Sequence, residues 1–200
     1  MNRTFLLALA ATLAVACSSG PEIKNVYCDP PRFQGFPSSG AEGIVFATAS
    51  LDPSSESELG VELLEEGIIP VKLSLQLKGA GVNERIVQVE ETRWDARLYL
   101  LDGTVLPWVD AEKVVKDLDL GKDEAKKVRN HAFRPQLIES QPLTGYLFFA
   151  LYEKHFHVDG RKVTHVQNGL ARNLRLEDSL LAFNLTQEDR VEPFYTGIRP

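Results

Sequence analysis

Residues 71–78 read Val-Lys-Leu-Ser-Leu-Gln-Leu-Lys, apolar and polar in strict turn. Val71, Leu73, Leu75 and Leu77 fall on one face, and Lys72, Ser74, Gln76 and Lys78 on the other. This period-two pattern marks a strand with one buried and one wet side. Pro70 stands at its start, where a missing N–H does least harm. Further strand candidates are 43–50, 85–91, 94–101, 145–158, 162–166 and 179–185. Asp102-Gly103 and Asp159-Gly160, each set between apolar runs, are tight-turn signals. Gly79-Ala80-Gly81 follows one strand and precedes another, so it reads as a turn.

One helical stretch interrupts the strands. Asp110 is placed to cap a helix over 111–118, with Val114, Val115 and Leu118 as a narrow apolar stripe and Gly121 closing it. Residues 123–130 form a second, highly charged helical stretch read as surface. Short strands, hairpin turns and a helical insertion predict an antiparallel immunoglobulin-like β-sandwich with one or two short helices inserted. A small β-barrel is the second choice. Alternating strand–helix units are missing, which argues against a nucleotide-binding α/β fold. The end of the chain, residues 193–200, carries two Pro and a Gly and reads as an extended tail or an aromatic handle for a partner.

The N-terminus sets the address. Arg3 is followed by the apolar run of residues 5–16, too short to span a hydrocarbon core of about 30 Å, and then by Cys17-Ser18-Ser19-Gly20. This fits a cleaved signal peptide over residues 1–16. Leu13-Ala14-Val15-Ala16-Cys17 resembles the lipobox of bacterial lipoproteins, with Ala14 where that motif usually has Leu. The resemblance implies a lipid on the Cys17 thiol, cleavage just before it and an acylated new N-terminus. Ser18, rather than Asp, leans toward the outer membrane of a Gram-negative cell. The Ser-, Gly- and Pro-rich residues 17–42 read as a flexible tether, and 43–200 as one domain, an ordinary size for one. Cys28 is then a lone thiol, read as a shielded small hydrophobe because nothing basic flanks it; the sharper reading is an intermolecular disulfide.

Composition narrows the partners. The chain has 22 Lys and Arg against 28 Asp and Glu, a net charge of −6, which argues against nucleic acid held through phosphates. Two Cys cannot make a disulfide-dense scaffold. The order of Gly67-Ile68-Ile69-Pro70-Val71-Lys72, the Asp102-Gly103 hairpin and Leu143-Thr144-Gly145-Tyr146-Leu147-Phe148-Phe149 resembles a group of uncharacterised envelope lipoproteins of Gram-negative bacteria. The likeness covers roughly residues 43–150, departs at Lys78-Gly79-Ala80-Gly81, and implies no activity.

The strongest cluster of chemical groups is Glu153, His155, His157 and His165. Alternation puts the first three on one strand face. A two-residue loop at Asp159-Gly160 pairs His155 with Thr164 and turns His165 to the other face. A three-residue loop, Val158-Asp159-Gly160, pairs Glu153 with His165 and gathers all four as a zinc or copper ligand set. The bland reading is a wet hairpin tip, which the Asp-Gly turn preference and the nearby Lys154, Arg161 and Lys162 favour.

Catalytic signals are weaker. Ser54, Ser55 and Ser57 lie beside Glu56 and Glu58 without a Gly-x-Ser-x-Gly elbow, no P-loop is present, and 56–66 reads as a solvated acidic loop. Trp94 and Trp108 are placed near the open end of the Asp102-Gly103 hairpin, counted with a two-residue loop. They read as core, with sugar or partner binding as the alternative. The expectation is therefore a lipid-anchored envelope protein, a non-enzymatic interaction or structural accessory. It is held to the membrane by its lipid, faces the periplasm, has an envelope protein as possible partner and needs no cofactor. Periplasmic metal binding by the His hairpin is the alternative, and an envelope hydrolase the third.

Overall fold

The computed structural model describes residues 45–51, 54–77, 87–90, 93–138, 141–151, 156–159, 162–167, 170–187 and 190–199. The signal peptide, Cys17, Cys28, the whole 17–42 tether, the Gly79–Gly81 turn, Glu153 and His155 lie outside the described residues. Eleven strands are described: β1 Val45–Ser50, β2 Ile68–Leu77, β3 Val87–Gln88, β4 Ala96–Tyr99, β5 Val105–Val109, β6 Leu143–Ala150, β7 Phe156–Asp159, β8 Lys162–Gln167, β9 Leu170–Leu174, β10 Leu180–Gln187 and β11 Arg190–Arg199. Three α-helices join them among the described residues: α1 Ser55–Leu59, α2 Ala111–Asp117 and α3 Lys122–His131. None of the described helices is long and apolar enough to cross a membrane.

The architecture is mainly β, as expected, but it is not an immunoglobulin-like sandwich. Seven strands close into a barrel in the order β1-β2-β6-β5-β4-β10-β11, and β11 returns to β1. The closing pair is parallel, Ala49 opposite Ile198 and Ser50 opposite Arg199, whereas the other six pairs of the ring are antiparallel. A sandwich keeps two sheets with free edges; here the first and last strands abolish them. The tail read as extended or as an aromatic handle instead contributes residues 193–199 to the ten-residue β11. Its Pro193 lies opposite Asn184 of β10, and β1 reaches β11 only at Ile198 and Arg199. Among the described residues only β10 pairs with the strand at Pro193, so the missing N–H breaks no described ladder on the other side.

Alternation fills the interior as β2 predicts. Ile69, Val71, Leu73 and Leu75 meet Leu147 and Phe149 of β6, Leu98 of β4, and Leu181, Phe183 and Leu185 of β10 in one buried cluster. Burying a side chain of this size contributes about 1.5–3 kcal/mol. Outside, Ile68, Tyr146 and Phe148 pack against Leu59 of α1, Val114 of α2 and Val128 of α3. This explains why β2 opens with four consecutive buried residues before the alternation begins. The acidic 56–66 segment is accordingly not all loop: α1 buries Leu59, and Glu58 accepts hydrogen bonds from Lys72 Nζ at 3.0 Å and from Tyr146 Oη at 2.8 Å.

The helices start where their polar residues dictate. Asp110 Oδ1 accepts the backbone N–H groups of Glu112 and Lys113, capping α2 as expected. Gly121 does not close that helix. Asp119, with φ of 48°, turns the chain, and Gly121 begins α3, its N–H donating to Glu124 Oε2 at 3.0 Å. α3 is also less superficial than its charges imply, since Ala125 and Val128 are buried.

The expected 145–158 strand divides into β6 and β7, and β7-β8-β9 forms a separate three-stranded sheet. Its Val163 and Leu174 join the barrel's core cluster, with Phe156 and Val158 packed against it.

Candidate functional site

β5 and β6 pair only at Trp108–Phe149 and Val109–Phe148. At Asp110 the chain leaves the wall to form α2 and α3, and it returns at Ala132, which bridges Tyr146 in parallel while Phe133 N–H donates to Tyr146 O at 2.9 Å. The returning segment crosses so close to β6 that only glycine fits at 145. A Cβ there would lie 2.5 Å from Phe133 Cα. Departure and return leave a cleft of about 490 Å³ beside the break in the wall.

Both tryptophans of the chain line this cleft, with Phe133, Tyr146 and Phe148. Trp94 stacks on Phe133 at 5.2 Å and leans on Phe183 at 6.0 Å, and Phe183 stacks on Phe194 at 5.8 Å. An aromatic column thus runs from the cleft into the barrel. Buried Asn184 fixes the backbone on either side of Trp94. Its Oδ1 accepts Asp95 N–H at 2.7 Å and its Nδ2 donates to Arg93 O. Trp94 is 8% exposed, yet its Nε1–H is buried without a hydrogen-bond acceptor. Buried polar groups are nearly always paired; Ser179 Oγ is a second such exception among the described residues. Trp108 is half-buried.

The polar lining is Asp110, Glu112, Arg129 and Arg134. Arg129 grips Glu112 in a bidentate pair, Nε to Oε1 at 2.7 Å and Nη2 to Oε2 at 2.9 Å. The Arg129 hydrogen bond holds the Glu112 carboxyl below its usual range, and the same bond raises Arg129. Arg134 Nη2 donates to Arg129 O at 3.2 Å. Both carboxylates are committed, Asp110 to two backbone amides and Glu112 to a guanidinium, which suits them to holding the shape and charge of the cleft. The Trp pair was legible from the sequence, though read mainly as core. Asp110 was legible only as a cap. Arg129 and Arg134 carried no sequence signal, because their meeting depends on how α3 returns to the wall.

The hairpin that loops at Asp102-Gly103 closes one residue wider than a two-residue turn. Leu100 N–H donates to Thr104 O and Gly103 N–H to Leu100 O, with Gly103 at φ 90°. This is a three-residue loop with Gly in the left-handed position, so Leu98 faces Leu106 rather than Pro107.

The other hairpin adopts neither expected register. Asp159 pairs with Lys162, His157 with Thr164 and Phe156 with His165. His157 is exposed on one face and His165 is 7% exposed on the other. No group of three His, Cys, Asp or Glu side chains able to hold a metal occurs among the described residues. His165 stacks on Phe156 at 4.4 Å, and its Nδ1–H donates to Asp102 Oδ2. Burial works to raise the Asp102 carboxyl, but the Thr104 N–H at 2.9 Å and His165 outweigh it and hold the pKa below its ordinary value. The pair ties the small sheet to the barrel, a partnership no local pattern announces.

Among known proteins, the chain matches no family model, no curated protein and no solved structure.

Proposed function

We propose that this is a lipid-anchored cell-envelope protein that works by binding rather than by catalysis, with the cleft at the wall break as its working surface. The observation that carries the anchor is the order Arg3, apolar run, Leu13-Ala14-Val15-Ala16-Cys17, which resembles a lipobox. On this reading Cys17 carries the lipid and Ser18 directs the protein to the outer membrane, facing the periplasm. Two or more acyl chains hold firmly where one binds only marginally. Support for binding comes from the cleft itself, where flat aromatic surfaces stand beside four charged side chains, two of each sign. A pocket of mostly apolar walls with a few convergent polar groups is the usual form of a ligand site.

The test is Cys17→Ser, followed by fatty-acid labelling and membrane fractionation. The wild type is expected to take up label and sediment with membranes, and the variant to lose the label and be released or remain unprocessed. A wild type without label, with membrane attachment unchanged in the variant, removes the anchor from this reading.

A further inference from the structure

We propose that the outer edge of β9 takes up an extended, acidic segment of another protein as a fourth strand of the small sheet. A carboxylate of that segment lies against Arg172 and an aliphatic side chain against Leu170. This surface goes beyond the cleft and shares no residue with its lining.

β9 is an edge strand. In the order β7-β8-β9 it pairs with β8 alone, over five consecutive positions from Val163–Leu174 to Gln167–Leu170. Residues 170–173 are exposed and Leu174 alone is buried. An open edge is a template for a further strand, and natural proteins blunt it with proline, lysine, a bulge or a cover. β9 reads Leu-Ala-Arg-Asn-Leu, without proline or lysine, and its ladder with β8 has no bulge. Peptides commonly dock on such an edge, where backbone hydrogen bonds give affinity and alternate side chains give specificity.

The side chains choose the partner. Alternation puts Leu170, Arg172 and Leu174 on one face. Leu174 enters the core with Val163, so this face turns toward the barrel. The strand runs past its cover, however, and Leu170 stays 65% exposed. Arg172 is exposed beside His165 and makes no hydrogen bond or ion pair with a described residue. Arg175, by contrast, is matched by Glu177 at 3.2 Å and Asp178 at 3.8 Å. Opposite charges across strands stabilise a pair and like charges repel. A strand with a carboxylate and an aliphatic residue two positions apart therefore complements Arg172 and Leu170. A second copy of this chain does not. Arg172 is the middle residue of β9, and symmetric antiparallel pairing sets it opposite its own counterpart.

The edge is also placed for access. β1 runs parallel to β11, and β11 and β4 are both antiparallel to β10, so β4 runs in the direction of β1. The chain enters the barrel at Val45, at the start of β1, whereas the β4–β5 tip lies at the far end with His165 bound to its Asp102. On the lipid-anchored reading, the small sheet is joined to the end away from the tether. Leu101 on that tip, 55% exposed, adds apolar surface there.

The probes are nine-residue peptides in which threonine alternates with valine and glutamate in turn, or with lysine or glutamine in place of glutamate. Each is titrated into the full chain in detergent, and amide exchange is followed residue by residue. The glutamate peptide should slow exchange at residues 170–174, leave β2 unchanged, and bind about tenfold or more tightly than the lysine peptide, as a hydrogen bond to a charged group provides. Arg172→Glu should reverse that preference and Arg172→Gln should abolish it, both with the melting temperature of the wild type, because the position is exposed. Protection of β9 by none of the peptides overturns the proposal. So does equal protection by all three, or a preference that neither variant moves. Protection that grows with protein concentration in the absence of peptide assigns the edge to a second copy and overturns it as well. None of these outcomes bears on the cleft or on Cys17, whose lipid is read separately by labelling and fractionation.

Discussion

Two seams join chain-distant pieces to the same barrel, and they are built in opposite ways. Where β8 meets the β4–β5 turn, His165 and Asp102 are both buried, and each answers the other's polar atom. Phe156 covers the imidazole. Where the chain returns from α3 to β6, the seal is aromatic stacking and a glycine contact. The wall stays open beside it, and an indole N–H has no acceptor. A paired, covered seam has spent its polar groups on structure. The open seam leaves charged and aromatic side chains lining a cleft. The contrast gives the His–Asp pair a structural role, although acid–histidine pairs are the more familiar sign of chemistry, and leaves the Trp cleft as the place where binding is proposed.

The largest expected effect tests how the open seam is held. Gly145→Ala drives a Cβ into Phe133 Cα and N, at 2.5 and 2.7 Å, which are backbone atoms that no rotamer change can move aside. Overpacking of this kind costs about 1–3 kcal/mol, occasionally more, and the upper end is expected here. Urea unfolding should show it, with tryptophan emission shifted to the red in the folded state as the cleft is forced apart. A variant as stable as the wild type with unchanged emission would mean that the segment at 132–133 is not seated on β6.

The paired seam should give an intermediate effect. Asp102→Ala leaves the buried His165 Nδ1–H without an acceptor, a loss of about 1–3 kcal/mol. Amides of β8 should exchange faster while those of β2 keep their protection, since the pair fastens the small sheet and not the barrel. The sign of the pH dependence follows from the lowered pKa. The contribution of Asp102 is complete above its ordinary value of 3.8 and disappears as pH falls through the lower folded value. Wild type should therefore lose more stability than Asp102→Asn between pH 5 and the acid limit, and the two acid-denaturation curves should converge there. Parallel curves would break the assignment of the pair to structure.

The smallest effect is expected at the cleft rim. Arg129→Ala removes the partner of Glu112, but both side chains are largely exposed, and exposed ion pairs contribute little. The melting temperature should barely change, in contrast to Asp102→Ala. A large drop would mean that the rim is a structural seam as well.

Reading the fold from the chain worked where the signal was local. The alternation at 71–77 returned the buried face of β2 residue by residue, and Asp110 capped α2 because its oxygen needs only the amides two and three residues on. Elsewhere local signals misled. Residues 193–200, with two Pro and a Gly, read as an extended tail or a handle, but 193–199 belong to β11, where among the described residues only β10 pairs at Pro193. Asp159-Gly160 read as the turn itself, but the strands pair up to Asp159 and Lys162, which moves the loop on by one residue and keeps His157 and His165 on opposite faces.

The sequence by itself determined a mainly β chain, the inward face of its most regular strand and the start of α2. Each of these depends on residues within a few positions of one another, where backbone period and hydrogen-bond reach decide the outcome. Tertiary structure alone decided that the sheet closes into a barrel, that Trp94 and Trp108 face one cleft, and that His165 answers Asp102. Ala49 meets Ile198 from the other end of the chain, and such a meeting is set by which edges remain unpaired once every other strand has found its neighbour. No local pattern carries that information, because closure, cleft and buried pair are all properties of edges and seams between segments.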